Sequence, residues 1–164
     1  GGGGGRDEPW YTFEFGPVHV VVVSSEHDLA AQRPWLDAAL AARNRTRTPW
    51  SVVAGHRPMY LSSLPVGDIQ ASAAELRAAW EEVLVRREVD LYLAGHHHSY
   101  QRTCPVAAGA CRPGAPVHIV AGMGGYHLSP TAEPGRPAIF AHIDGRRHGY
   151  GRLSAGPDRL LWGV

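Results

Sequence analysis

The chain has 164 residues, 44% of them hydrophobic, and a formal net charge of +1. No apolar run reaches the roughly 18 residues a membrane helix needs, and there is neither a basic stripe nor a charged tail, so neither a membrane span nor a phosphate-tracking nucleic-acid surface is expected. The 16 basic residues are all arginine, the mark of a GC-rich genome, and the ten histidines would charge below a pH of roughly 6.5, which accords with an acidic working environment.

Gly1 to Gly5, then Arg6-Asp7-Glu8-Pro9, open the chain with no initiating Met or signal peptide. We read residues 1–9 as a flexible Gly-rich loop and the chain as a piece whose amino-terminal half is missing. The β-branched run 18–24 predicts a buried strand. Asp28 or a neighbour then starts a helix over 29–43, with Leu29, Trp35, Leu36 and Leu40 at helical spacing. A second strand, 50–54, is closed by Gly55-His56. The turn-rich stretch 58–67 leads to a long helix over about 69–87, whose Leu76, Ala79, Trp80, Val83 and Leu84 share an apolar face. A third strand, 90–94, runs into Gly95-His96-His97-His98. This alternation argues for an α/β unit in which ligands collect beyond the strand ends. After Pro105 four short strands are predicted, 117–121, 139–143, 149–153 and 159–162, separated by Gly-rich turns. They predict an antiparallel sheet with short connections. There is no internal repeat.

Two strand-Gly-His units in one small domain point to a metal centre at a sheet edge. Imidazole is the commonest metal-binding side chain near neutral pH. In an extended segment His96 and His98 would share one face, with Cα atoms roughly 6–7 Å apart. That spacing suits two neighbouring ions about 3.5–4 Å apart, and His97 would point away. His56 supplies a third ligand from the adjacent strand end. The competing reading is a loop of solvated surface histidines. A buried strand and a Gly ahead of each unit, letting the backbone turn tightly beside an ion, favour the metal.

Gly55-His56-Arg57-Pro58-Met59-Tyr60 and Gly95-His96-His97-His98-Ser99-Tyr100-Gln101-Arg102 resemble the last two metal-binding motifs of the calcineurin-like metallophosphoesterases, and more narrowly the purple acid phosphatases. The resemblance extends over nearly the whole chain. It takes in Trp10 to His19, Ser24-Ser25-Glu26-His27-Asp28, Arg102 to Val106 and Ala115 to Gly125, in order. It implies the second half of a four-layer α-β-β-α sandwich with a mixed sheet and antiparallel carboxyl-terminal strands. Residues 1–103 would be the carboxyl-terminal half of the catalytic domain, and 104–164 the family's carboxyl-terminal region in the same compact unit. The implied cofactor is a dinuclear centre, Fe(III) with Zn, Mn or Fe(II). His56 and His96 match ligands of the divalent ion, and His98 matches a ligand of the ferric one. The aspartate, tyrosine and asparagine ligands belong to motifs absent from these residues. The stretch 57–68 contains no His, so the resemblance names no general acid. Gln101 stands where the family usually has Glu, and His97 where a smaller apolar residue is usual.

Cys104 and Cys111, flanking a loop of small residues, are expected to form a disulfide in an oxidising compartment; free thiols and thiolate metal ligands are the alternatives. Asn44-Arg45-Thr46 is a glycosylation sequon and agrees with a secreted, extracellular or vacuolar location. Arg57 is a candidate substrate-phosphate contact, since a guanidinium can pair two oxygens; a structural ion pair is the competing role. Tyr100 and Arg102 are read as packing or bracing the histidine loop, and 122–125 as a turn. His19, His118 and His142 are read as structural, and His27, His127 and His148 stay unassigned. The expected activity is hydrolysis of small-molecule phosphate monoesters, the chain alone being inactive for want of a bridging carboxylate. The alternatives are a phosphodiesterase or nucleotidase of the same superfamily, and a non-catalytic metal-binding fragment.

Overall fold

The computed structural model describes residues 8–63, 69–131 and 137–164. Most of the expected Gly-rich loop and the end of the turn-rich stretch, 64–67, lie outside the described residues. The sheet is built on four parallel strands: β2 (Val18–Val22), β3 (Trp50–Ala54), β4 (Leu91–Ala94) and β7 (Val117–Ala121). β1 (Tyr11–Phe15) adds antiparallel to β2 at one edge. At the other, β5 (Tyr100–Ala107) pairs antiparallel with β7, and the outer edge of β5 carries the two-residue β6 (Ala110–Cys111) and β8 (Phe140–Asp144). A separate antiparallel hairpin, β9 (Arg152–Ala155) and β10 (Leu160–Gly163), completes the described strands.

Strand alternation sorts the apolar side chains onto two faces. Val21, Val53 and Tyr92 face the helices, packing with Leu36, Leu40, Trp80, Val83 and Leu84. Val18, Val52, Leu91 and Ile119 face the hairpin, which covers them with Leu153, Ala155, Leu160 and Trp162. The described residues thus form a helix layer, a sheet layer and a two-stranded second sheet. Helix α1 (Leu29–Ala41) starts where Asp28 accepts from the backbone N–H of Ala30 and Ala31, the usual role of an Asp N-cap. The long second helix is a composite of α2 (Ile69–Leu76), a π-helical segment (Arg77–Glu81) and α3 (Glu82–Arg86). The π segment carries Trp80, fully buried, whose indole N–H donates to the Leu29 carbonyl at 3.0 Å.

β3 and β7 match the predicted ranges; two other expectations are corrected. The tail is not wholly antiparallel, because β7 inserts between β4 and β5 and runs parallel to β4. β5 itself had no counterpart among the strands predicted from periodicity. It contains Pro105, which argues against a strand interior, and the register with β7 shifts between Arg102 and Pro105, so the ladder accommodates the missing N–H at an irregularity. β5 also runs through the 103/104 boundary drawn from the resemblance.

Candidate metal centre

Because β2, β3, β4 and β7 are parallel, their carboxyl ends deliver Ser24–Asp28, Gly55-His56, Gly95-His96 and Gly122 to one edge of the sheet, where ligands gather in α/β folds. There the His56 and His96 rings stand edge to face, centroids 4.9 Å apart. His56 Nε2 and His96 Nδ1 face each other at 3.0 Å. Two imidazole nitrogens on one tetrahedral ion, each about 2.0–2.1 Å from it, lie roughly 3.4 Å apart. A small opening of the pair would therefore admit a metal.

The histidine triplet is not extended. His96 has a φ of 59°, and the backbone N–H groups of His97 and Ser99 donate to the carbonyls of Gly95 and His97 at 2.7 and 2.8 Å, two successive three-residue turns. The shared face expected for His96 and His98 is lost, because the triplet coils rather than continuing the strand. His98 turns toward the chain beyond β7: its Nδ1 lies 2.8 Å from the His127 carbonyl, and its ring is 5.2 Å from that of Tyr126. A carbonyl only accepts, so Nδ1 carries the proton and Nε2 keeps its lone pair. This is the tautomer control seen in metal-binding histidines. Ser129 clamps the same residue, accepting from His98 N–H at 3.1 Å and donating its own N–H to the His98 carbonyl at 2.9 Å. His97 is turned inward, buried beside Ser99 Oγ at 2.8 Å, and burial lowers the basicity of its imidazole.

Of the residues that support the loop, Ser129 carried no sequence signal of its own. Gly122, read only as part of a turn, lies under the histidine loop: a Cβ there would sit 2.2 Å from the His97 carbonyl oxygen. Gly55 abuts the Tyr92 hydroxyl, 2.9 Å from where its Cβ would stand, and that hydroxyl donates to the Arg57 carbonyl at 3.0 Å. Gln101 donates to the Ser62 carbonyl at 2.8 Å and accepts from the Ser62 N–H at 2.6 Å. An ionised carboxylate in its place could only accept. The Arg57 guanidinium lies on Glu26, Nε to Oε1 at 2.8 Å and Nη2 to Oε2 at 3.3 Å, and this hydrogen-bonded pairing lowers the Glu26 carboxyl to about 2. Cys104 and Cys111 are joined by a disulfide. Among the described residues, no group of three or more His, Cys, Asp or Glu is arranged to hold a metal ion. The structure thus brings His56 and His96 together and directs His98 separately.

The family model for calcineurin-like phosphoesterases matches residues 4–100, and that for iron/zinc purple acid phosphatase-like protein C matches 115–163. A protein of Arabidopsis thaliana named probable inactive purple acid phosphatase 9 is 35% identical, over 92% of this chain and 25% of its own length. Acid phosphatase type 7 of Homo sapiens is 30% identical over 92% of this chain and 41% of its own. Fe(3+)-Zn(2+) purple acid phosphatase 12 of Arabidopsis thaliana is also 30% identical, over 86% of this chain and 35% of its own. The chain therefore spans a quarter to about two-fifths of the length of these relatives. The purple acid phosphatase PPD1 from yellow lupin (Lupinus luteus) seeds superposes with a TM-score of 0.76 at 24% identity, over 94% of this chain and 28% of that one, a likeness of fold. With the sheet order and these matches together, the chain belongs to the calcineurin-like phosphoesterases, in their purple acid phosphatase branch.

Proposed function

We propose that this chain supplies part of a dinuclear centre that hydrolyses phosphate monoesters, with His56 and His96 on one ion and His98 on the other. The observation that carries the proposal is the pair of ring nitrogens meeting at 3.0 Å at the carboxyl ends of two neighbouring parallel strands. The proposed ions are Fe(III) with Zn, Mn or Fe(II), supported by the iron and zinc in the names of a matching family and a relative. When bound, such a pair lowers the pKa of a coordinated water, clamps phosphate oxygens and stabilises charge in the in-line displacement.

The chain's own contribution is positioning. Gly122 and Ser129 fix the turn that carries His98, and the His127 carbonyl selects its tautomer. Glu26 and Tyr92 hold Arg57, and with it the backbone beside His56. A substrate contact by Arg57 would require its guanidinium to exchange Glu26 for phosphate. We place the protein in a secreted, extracellular or vacuolar compartment. The disulfide supports this, and no helix among the described residues is long and apolar enough to cross a membrane.

A non-catalytic reading has its own observation, the absence of a three-ligand group among the described residues. One experiment separates the readings. The protein carrying all its ligands is loaded with iron and zinc, and metal content and turnover of an aryl phosphate monoester and a diester are measured. We expect two ions, monoester cleavage, and loss of one ion with at least 100-fold lower turnover in His56→Ala or His96→Ala. Full turnover in both variants would remove the pair from the centre. Faster diester cleavage would favour the phosphodiesterase reading. The 164-residue chain by itself is expected to hold fewer than two tightly bound ions and to turn over little.

A further inference from the structure

A second space lies apart from the facing histidines. Between the β5–β8 wall and the β9–β10 hairpin is a cavity of about 590 Å3, lined in part by Tyr100, Arg102, Asp144, Arg147, Arg152 and Trp162. Its volume is within the roughly 300–1,000 Å3 of small-molecule sites. Cross-strand pairing sets Tyr100 opposite Asp144 and Arg102 opposite His142 on one wall. Three guanidinium groups line it, with the Asp144 carboxylate and the last residue of the chain, Val164. Arg147 is paired with Asp144 at 2.7 Å, which leaves Arg102 and Arg152 uncompensated. Neither makes an ion pair among the described residues, a condition they share with Arg77, Arg112 and Arg159, whereas Arg33, Arg43, Arg45, Arg47, Arg57, Arg86 and Arg87 are paired. What sets Arg102 and Arg152 apart is that both line one cavity.

The cavity also has flat apolar walls. The Trp162 indole N–H donates to the Tyr100 hydroxyl at 3.1 Å. The ring lies so close to Gly151 that a Cβ there would stand 2.0 Å from it, so glycine at 151 is what admits the indole. Tyr150, 77% exposed, also lines the cavity. Arg102 is half-buried, where a guanidinium without a counter-charge is costly, and Arg152 is exposed. The planar fork of each pairs two oxygens of a phosphate or carboxylate at once. Aromatic faces take a planar ring.

We propose that this cavity is a second binding site, for a phosphate group borne on a planar ring, as in aryl and nucleoside phosphates. Arg102 and Arg152 meet the anion, and Trp162 with Tyr150 takes the ring. The site goes beyond the metal centre, since none of His56, His96 and His98 lines it.

Calorimetric titration of the protein, with chelator present to silence any metal site, tests this with ADP, adenosine and inorganic phosphate as probes. We expect one equivalent of ADP to bind, with adenosine and phosphate each at least 10-fold weaker. Arg152→Glu, at an exposed position, should weaken ADP at least 10-fold, and Arg152→Lys should restore part of the loss. Gly151→Ala, which displaces the indole, should weaken ADP but leave phosphate unchanged. His98→Ala should leave ADP binding as it was. Thermal melts of each variant establish that it is folded. The proposal is overturned if no saturable ADP binding is seen, or if binding is lost in His98→Ala and indifferent to Arg152→Glu. A ring-free acidic peptide binding as well as ADP would equally overturn it, marking a peptide-carboxylate site instead.

Discussion

His118 shows how much one side chain can dictate. It sits on β7 in full burial between Tyr60 and Tyr92, ring centroids 4.9 and 5.4 Å away, and neither ring nitrogen has a hydrogen-bond partner among the described residues. Burial, helped by the nearby Arg77 charge, lowers its pKa from 6.5 to about 3. The folded value lies below the unfolded one, so the neutral form is the one the fold accepts. As pH falls from 6.5 toward 3 the unfolded chain takes up a proton that the folded chain refuses. Stability is then lost at up to about 1.4 kcal/mol per pH unit from this group. His118→Phe removes both the titration and the unpartnered nitrogens. Urea melts between pH 4 and 7 should show a shallower acid slope for the variant. Stability at pH 7 should be equal or higher, by about 1–2 kcal/mol. An unchanged slope would show that other groups carry the acid sensitivity.

At the scale of elements, the histidine loop depends on strands distant in sequence. Gly122 ends β7 and supports the turn that follows β4, with room for hydrogen alone between its Cα and the His97 carbonyl. Gly122→Ala should push the 97–98 backbone outward and break the Ser129 clamp. We expect metal bound through His98 to weaken at least 10-fold and turnover to fall with it, while secondary structure by circular dichroism is retained. Retention of full metal content would show that the loop adapts. This dependence explains what could be read from the sequence. β3, β4 and β7 were legible because each is a short run of mostly apolar residues, broken by Ser51 in β3 and His118 in β7, that ends at Gly. His56 and His96 were legible because they follow those ends directly. β5 was hidden by Pro105, which a pattern rule treats as a breaker although the ladder bypasses it at an irregularity. The direction of His98 was not legible, because it is set by contacts with residues 127 and 129, some thirty positions away.

For the molecule as a whole, the governing fact is a sheet that is apolar on both faces. The helices cover one face through their own amphipathic stripes. The other is covered by β9–β10, and a lone two-stranded hairpin is marginal in water, so hairpin and sheet must stabilise each other. Two indole hydrogen bonds pin the contact at opposite ends, Trp50 to the Gly156 carbonyl at 2.7 Å and Trp162 to the Tyr100 hydroxyl at 3.1 Å. Between them Leu153, Ala155 and Leu160 pack over Val18, Val52, Leu91 and Ile119. Beyond the hairpin, the aromatic side chains of β1 stay open, with Phe15 76% exposed. Trp50→Phe removes one pin and keeps the ring, so it should cost about 1 kcal/mol and preserve a single cooperative transition. Ending the chain at residue 148 removes the whole cover. That protein should bind a hydrophobic dye strongly, lose its sharp melting transition and aggregate, because the apolar face would be presented to water. A truncated chain that melts as cooperatively as the parent would show that the sheet does not need the hairpin, and that the second layer contributes to ligand binding rather than to folding.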